Sequence, residues 1–201
     1  MEVSEVWLDG ERVDFQGPPP SSPSEIWALL DQHLAGMDRL LVEMRVDGEE
    51  WNEDISYPDR SYGKIEASSR SELENLKFAA AELIGKRETI ESLWESTSRD
   101  SLNLGWQDFQ AKMAQTLGGT QPLIENCGLL IQFASLKSLP WHDSLKIASE
   151  SLNVEMGRAM DAFESSNCIL ISDIAAFDIP KVLGDVFQAL SLIVGEDGST
   201  R

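Results

Sequence analysis

Few side chains in this 201-residue chain could do acid–base or metal chemistry. There are two histidines, His33 and His142, and two cysteines, Cys127 and Cys168. Neither histidine has a Cys, Ser or second His at a helpful spacing, so each reads as structural. His142 directly precedes Asp143, and neighbouring helical residues point in different directions, which argues against a ligand pair. Each cysteine sits alone in apolar surroundings, giving neither a disulfide framework nor a metal-site spacing. Both are expected to be buried thiols of a cytoplasmic protein. The acidic cluster Glu49, Glu50, Glu53 and Asp54 lacks the EF-hand pattern, and a hairpin turn explains Gly48. Phosphate loops and the GxSxG elbow are absent. Gly118-Gly119-Thr120 before Pro122 could offer helix amides to an anion, but a loop with Thr120 as N-cap explains it more simply. The many carboxylates single out no catalytic pair. The expectation is therefore no catalytic, metal-binding or cofactor-binding residue, and no cofactor.

Tryptophan is the remaining oddity, with six in the chain. Trp94 and Trp106 fit the core faces of helices, whereas Trp7, Trp27, Trp51 and Trp141 do not fall cleanly on inward faces. Trp7 and Trp51 both lie in hairpins. They could meet on the outer side of a sheet, where an exposed patch would be ringed by Glu49 and Glu50. Trp7, Trp51, Glu49, Glu50 and Trp27 are thus the candidate partner-binding residues. Packing of the helical part over that face would bury the rings instead.

The elements that position these residues are announced by a phrase that occurs twice. Val6-Trp7-Leu8-Asp9-Gly10-Glu11-Arg12-Val13 returns loosely as Met44-Arg45-Val46-Asp47-Gly48-Glu49-Glu50-Trp51. Asp-Gly between alternating apolar flanks predicts a two-residue hairpin with positive φ at both central positions. Val6 and Leu8 face one way and Trp7 the other. Gly17 to Ser21 is a stiff, proline-rich connector. Ser22, Pro23 and Glu25 then form a capping box, opening a helix with Ile26, Leu29, Leu30, His33 or Leu34, and Met37 on its buried face. Leu40, Val42, Met44 and Val46 alternate with Leu41, Glu43 and Arg45 as a third strand. A turn-rich stretch with Tyr57-Pro58-Asp59 follows, and Lys64 to Ala67 alternates weakly as a last strand.

From Ser69 the apolar period becomes helical, with a second capping box expected at Ser69 and Glu72. Leu73, Leu76, Ala80, Leu83, Ile90 and Trp94 form one stripe, interrupted at Arg87. Leu102, Trp106, Phe109, Met113 and Leu117 form the next, which Gly118, Gly119 and Pro122 are expected to break or kink. Pro140 opens a helix with Leu145, Ala148, Leu152, Met156, Ala159 and Phe163 inward. Pro180 should kink or divide the last apolar segment, Ile169 to Ile193. The predicted class is α+β, with a mixed-sheet domain over 1–68, a helical bundle over 69–194 and a flexible tail over 195–201.

The order β-β-α-β-β-β resembles the ubiquitin-like β-grasp over about residues 3–68. The resemblance implies a mixed sheet wrapped around one helix. Gly118-Gly119 is internal and is not a conjugation tail. The two-part layout is also similar to that of uncharacterised bacterial proteins, a likeness that implies no activity.

The formal net charge is −19, with residues 1–66 carrying −11 of it. Such a field repels nucleic acid and anionic membranes and favours basic partners. No membrane span and no signal peptide are legible. The expected function is a non-enzymatic, cytoplasmic protein–protein interaction or adaptor role. Its partner is another protein, and the helices permit a homodimer. The alternative is an acidic assembly or secretion chaperone, for example of flagellar type. An enzyme using carboxylates alone is the third reading.

Overall fold

A computed structural model describes residues 5–51 and 61–195. It is α+β. The strands and helices follow in the order β1 (Glu5–Leu8), β2 (Glu11–Arg12), α1 (Pro23–Ala35), β3 (Arg39–Val46), β4 (Glu49–Glu50), β5 (Lys64–Ser71), α2 (Glu72–Gly85), α3 (Arg87–Asn103), α4 (Trp106–Lys137), α5 (His142–Glu164), α6 (Cys168–Asp173), a π-helical turn (Ile174–Asp178) and α7 (Ile179–Gly195). Two compact units divide the chain, Met1–Asn75 and Leu76–Arg201.

The first unit is a five-stranded mixed sheet in the order β2-β1-β5-β3-β4, with β1 parallel to β5 and the other pairs antiparallel. Both Asp-Gly turns form as expected, with positive φ at Asp9 (52°), Gly10 (82°), Asp47 (53°) and Gly48 (87°). The aspartates then do the same work twice. Asp9 Oδ1 accepts the Ser69 amide (2.7 Å) near the end of β5, and Asp47 Oδ1 accepts the amides of Gly63 (3.0 Å) and Lys64 (2.8 Å) at its start. The central strand is clasped at both ends.

Ser22 caps α1 as expected, its hydroxyl accepting the Glu25 amide at 3.3 Å. The helix buries Ile26, Leu30 and Leu34 against Val6, Met44 and Ile65. Leu29 and Met37, expected inward, are exposed, and of the His33 or Leu34 choice Leu34 is the buried one, because the i, i+4, i+8 stripe alone covers so small a sheet. A β-bulge at Val42 also reverses the expected faces at the start of β3. Leu41 points inward and Leu40 outward, while Met44 and Val46 keep their expected side. Strand β5 runs to Ser71, beyond the expected Ala67. The second capping box accordingly forms at Ser71 and Glu74, with the Glu74 amide donating to Ser71 Oγ and the Ser71 amide to Glu74 Oε2.

In the second unit α3 packs on α4 and α6, and α5 packs on α4 and α7. Trp94, Phe109, Trp141, Leu145, Leu152 and Phe187 are among its largest buried side chains. Trp141, for which no inward place was expected, is thus a core residue. Its Nε1 is the buried side-chain nitrogen without a hydrogen-bond partner among the described residues.

Neither proline breaks its helix. Helix α4 runs unbroken through Gly118, Gly119 and Pro122. Pro122 cannot donate to the Gly118 carbonyl, but Gly118 lies on the exposed side, where water can reach it. Gly119 earns its place at the α3 contact, because a Cβ there would come within 2.4 Å of Leu93 Cδ1. Pro180 is accommodated by the preceding π turn, in which the Ile179 amide reaches back to the Ile174 carbonyl. One wide turn absorbs the missing donor and the helix continues.

Candidate partner-binding surface

The sheet register decides where each candidate side chain lies. Trp7 sits opposite Arg12 on β2 and Glu66 on β5. Glu66 sits opposite Arg45, and Arg45 opposite Glu50. These five side chains form one row on the face away from α1, since Val6, Ile65 and Met44, their sequence neighbours, are buried against the helix. Trp7 and Glu50 are three strands apart in that row, about 14 Å at the usual strand spacing.

Trp51 lies on the other face. Its amide bonds the Met44 carbonyl (2.9 Å), and its ring meets Trp27 of α1 with centroids 5.1 Å apart. Glu49, opposite Val46, shares that side. Trp7 and Trp51 therefore do not meet, and Glu49 and Glu50 diverge to opposite faces. Alternation along β4 separates what adjacency in sequence had joined. The structure brings together Trp7 with Glu50 in one row, and Trp27, Trp51 and Glu49 on the helix side. Glu53, Asp54 and the Tyr57-Pro58-Asp59 turn lie outside the described residues.

The outer face carries charges of both signs. Among the described paired-strand residues it presents the cations Arg12, Arg45, Lys64 and Arg70, and the carboxylates Glu5, Glu43, Glu50 and Glu66. Arg12 pairs with Glu5 (3.6 Å), Arg45 with Glu43 (2.7 Å) and Lys64 with Glu66 (2.6 Å). Trp7 is braced among them. Its Nε1 donates to Glu5 Oε2 at 3.4 Å, and Lys64 Nζ stands 5.6 Å from the ring centroid. Exposed pairs of this kind each contribute ~0–1 kcal/mol to stability, so they matter here mainly as surface chemistry. The cations of this face were not among the expected site residues. The alternation Lys64, Glu66, Ser68, Arg70 was their signal.

Beside this face, Asp9, Ser69 and Arg39 form a clasp. Burial pushes the Asp9 carboxyl up, but the Ser69 hydroxyl and amide and the Arg39 guanidinium outweigh it and hold the group below the usual carboxylate range. Glu74 is likewise lowered, first by the Ser71 amide and then by its hydroxyl. Both carboxylates serve as structural acceptors.

In the helical unit, Cys127 is buried in the core, and that burial pushes its thiol up to about 12. Its thiolate is correspondingly scarce near neutral pH. Gly118 and Gly119 lie mid-helix, so no helix N-terminus exists there. Thr120 caps nothing; its hydroxyl donates to the Thr116 carbonyl and accepts from Trp94 Nε1. His142 Nδ1 and Asp143 Oδ1 do meet, at 2.8 Å, because they occupy the first turn of α5, where side chains are free to fold back. The cavity they line, about 300 Å³, also contains Ser135 and Ser138. Among the described residues His142 is hydrogen-bonded to Asp143 and to neither serine. Among the described residues no cluster of three or more His, Cys, Asp or Glu is placed to hold a metal ion. No helix there is long and apolar enough to cross a membrane.

No protein-family model, no curated protein and no solved structure matches this chain.

Proposed function

We propose that this is a non-enzymatic, cytosolic protein-interaction or adaptor protein that binds a partner through its N-terminal sheet and self-associates through its helices. One observation carries the reading. Trp7 stands on the sheet face opposite α1, away from the core, amid side chains of both charges. Tryptophan is the side chain most enriched at the energetic centres of interfaces, and flanking polar groups keep water from it. The net charge of −19 steers a basic partner at long range and repels nucleic acid. At contact, the face of mixed charge selects by burial of the ring and by matched ion pairs. Strands β2 and β4 are two residues each, too short to favour recognition by strand addition.

A ubiquitin-like β-grasp identity for the module is supported by the central parallel β1–β5 pair, the flanking antiparallel pairs and the single helix on one face. The second reading, an acidic assembly or secretion chaperone, is supported by Leu129 and Leu136. These are exposed seven residues apart on one side of α4.

The test is quantitative capture from the cells of origin with the wild type, Trp7→Ser and Trp27→Phe, folding being checked by circular dichroism. A partner retained by wild type and Trp27→Phe but depleted roughly 30-fold by Trp7→Ser supports the face. Loss with Leu129→Glu and not with Trp7→Ser favours the chaperone reading. Recovery of no reproducible partner by any form defeats both.

A further inference from the structure

Resting on the self-association proposed above, we infer that a second copy of this chain docks antiparallel along the outer stripe of α5, centred between Glu150 and Ser151. Ile147 and Val154 are 64% and 61% exposed although both are large and apolar. With Asp143 and Arg158 they stand at steps of four, seven and four residues, which return to the same side of a helix. The stripe spans about 22 Å at the helical rise.

What identifies the occupant is the order of side chains along it. Rotating α5 by a half-turn about the point between Glu150 and Ser151 sets Ile147 opposite Val154 of the second copy. The same operation sets Asp143 opposite Arg158. The first opposition is apolar with apolar, and the second unlike charge with unlike charge. A two-fold interface requires this self-complementarity, because each contact is made twice. The Asp143 side chain is 89% exposed and ready to be paired. Arg158 is already oriented by Glu155 and by Asp178 at 3.1 Å. Its five N–H donors leave room for a third carboxylate. Beside the stripe, a cavity of about 270 Å³ between α5 and α7 is lined by Ser144, Ile147, Asp185, Gln188 and Leu192. It would receive apolar side chains of the second copy.

The experiment is sedimentation equilibrium of the full chain up to about 100 µM, the range in which weak dimers populate. Wild type should be dimeric. Ile147→Glu with Val154→Glu should be monomeric with unchanged helicity. Asp143→Arg and Arg158→Asp should each weaken the dimer at least tenfold, and an equal mixture of the two should recover heterodimers, since both unlike pairs are then restored. A wild type monomeric throughout overturns this inference together with proposed self-association. A dimer indifferent to all these substitutions overturns the surface alone and leaves self-association standing. Failure of the mixture to recover overturns the antiparallel register.

Discussion

The seam between α3 and α4 gives the sharpest test of the energetics. Trp94 and Thr120 are both fully buried, and the indole Nε1 donates to Thr120 Oγ1 at 2.9 Å. One turn away Thr97 and Thr116 share a hydrogen bond of 2.7 Å. Thr120→Val keeps the shape and the β-branch but removes the acceptor, so the indole N–H is left buried and unpaired. Leaving such a donor unsatisfied costs about 1–3 kcal/mol. For a chain of this size, ~2 kcal/mol lowers the melting temperature by about 4–8 °C. The Thr116 carbonyl loses only a second, side-chain donor, because the helix ladder still serves it. The assay is thermal and urea unfolding of wild type, Thr120→Val, Trp94→Phe and the double variant. In the Trp94→Phe background no indole N–H remains to be orphaned, so Thr120→Val should then cost less than about 0.5 kcal/mol. Thr120→Ser, which keeps the hydroxyl, should lie close to wild type. A double-mutant coupling below about 0.5 kcal/mol would refute the assignment of the cost to the hydrogen bond.

Three further outcomes are expected from the sheet unit. Ser22→Ala removes the hydroxyl that accepts the Glu25 amide and should destabilise this unit by about 1 kcal/mol in urea unfolding, whereas Ser22→Asp should not. Gly48→Ala puts a Cβ at φ 87° and should cost about 1–2 kcal/mol by the same measurement; no neighbour crowds the site, so a larger loss would point to another cause. The third concerns acid. The Asp9 carboxyl is depressed in the folded chain, so its contribution is present above its unfolded pKa and is lost as the pH falls through the folded value. Wild type should therefore lose stability below about pH 4, and Asp9→Asn, which still tolerates positive φ, should show a flatter acid limb with lower stability at pH 7. Parallel acid limbs for the two proteins would show that the clasp does not titrate.

Local signals were well legible. Asp9-Gly10 and Asp47-Gly48 predicted their turns because the conformation they need is available to few residue pairs, and Ser22, Pro23 and Glu25 announced α1 by satisfying its first amides. Legibility failed where the outcome depended on a neighbour. A single bulge at Val42 exchanged the faces of Leu40 and Leu41, and period counting cannot see an inserted residue. Pro122 read as a break or kink, and Pro180 as a kink or division. Yet a helix held by packing on its flanks can lose one backbone bond at Pro122, or widen into a π turn before Pro180, without ending. Of the candidate site, the tryptophans were legible as unusual, but their grouping was not. Trp51 pairs with Trp27 because β4 alternates, and Trp7 is left with cations that the sequence places far away on β5 and β3.

By itself the sequence determined the α+β class, the order of the five strands around α1, both hairpin turns and the acidic character. Each rests on interactions within a few residues or on composition, and needs no knowledge of what packs where. The tertiary structure alone decided that the two turn aspartates clasp opposite ends of β5, that Trp7 and Trp51 face opposite ways, and that cations from three strands gather on the outer sheet face of a chain of net charge −19. Those outcomes depend on strand register between segments up to 60 residues apart, and register is set by the whole buried face at once rather than by any one strand.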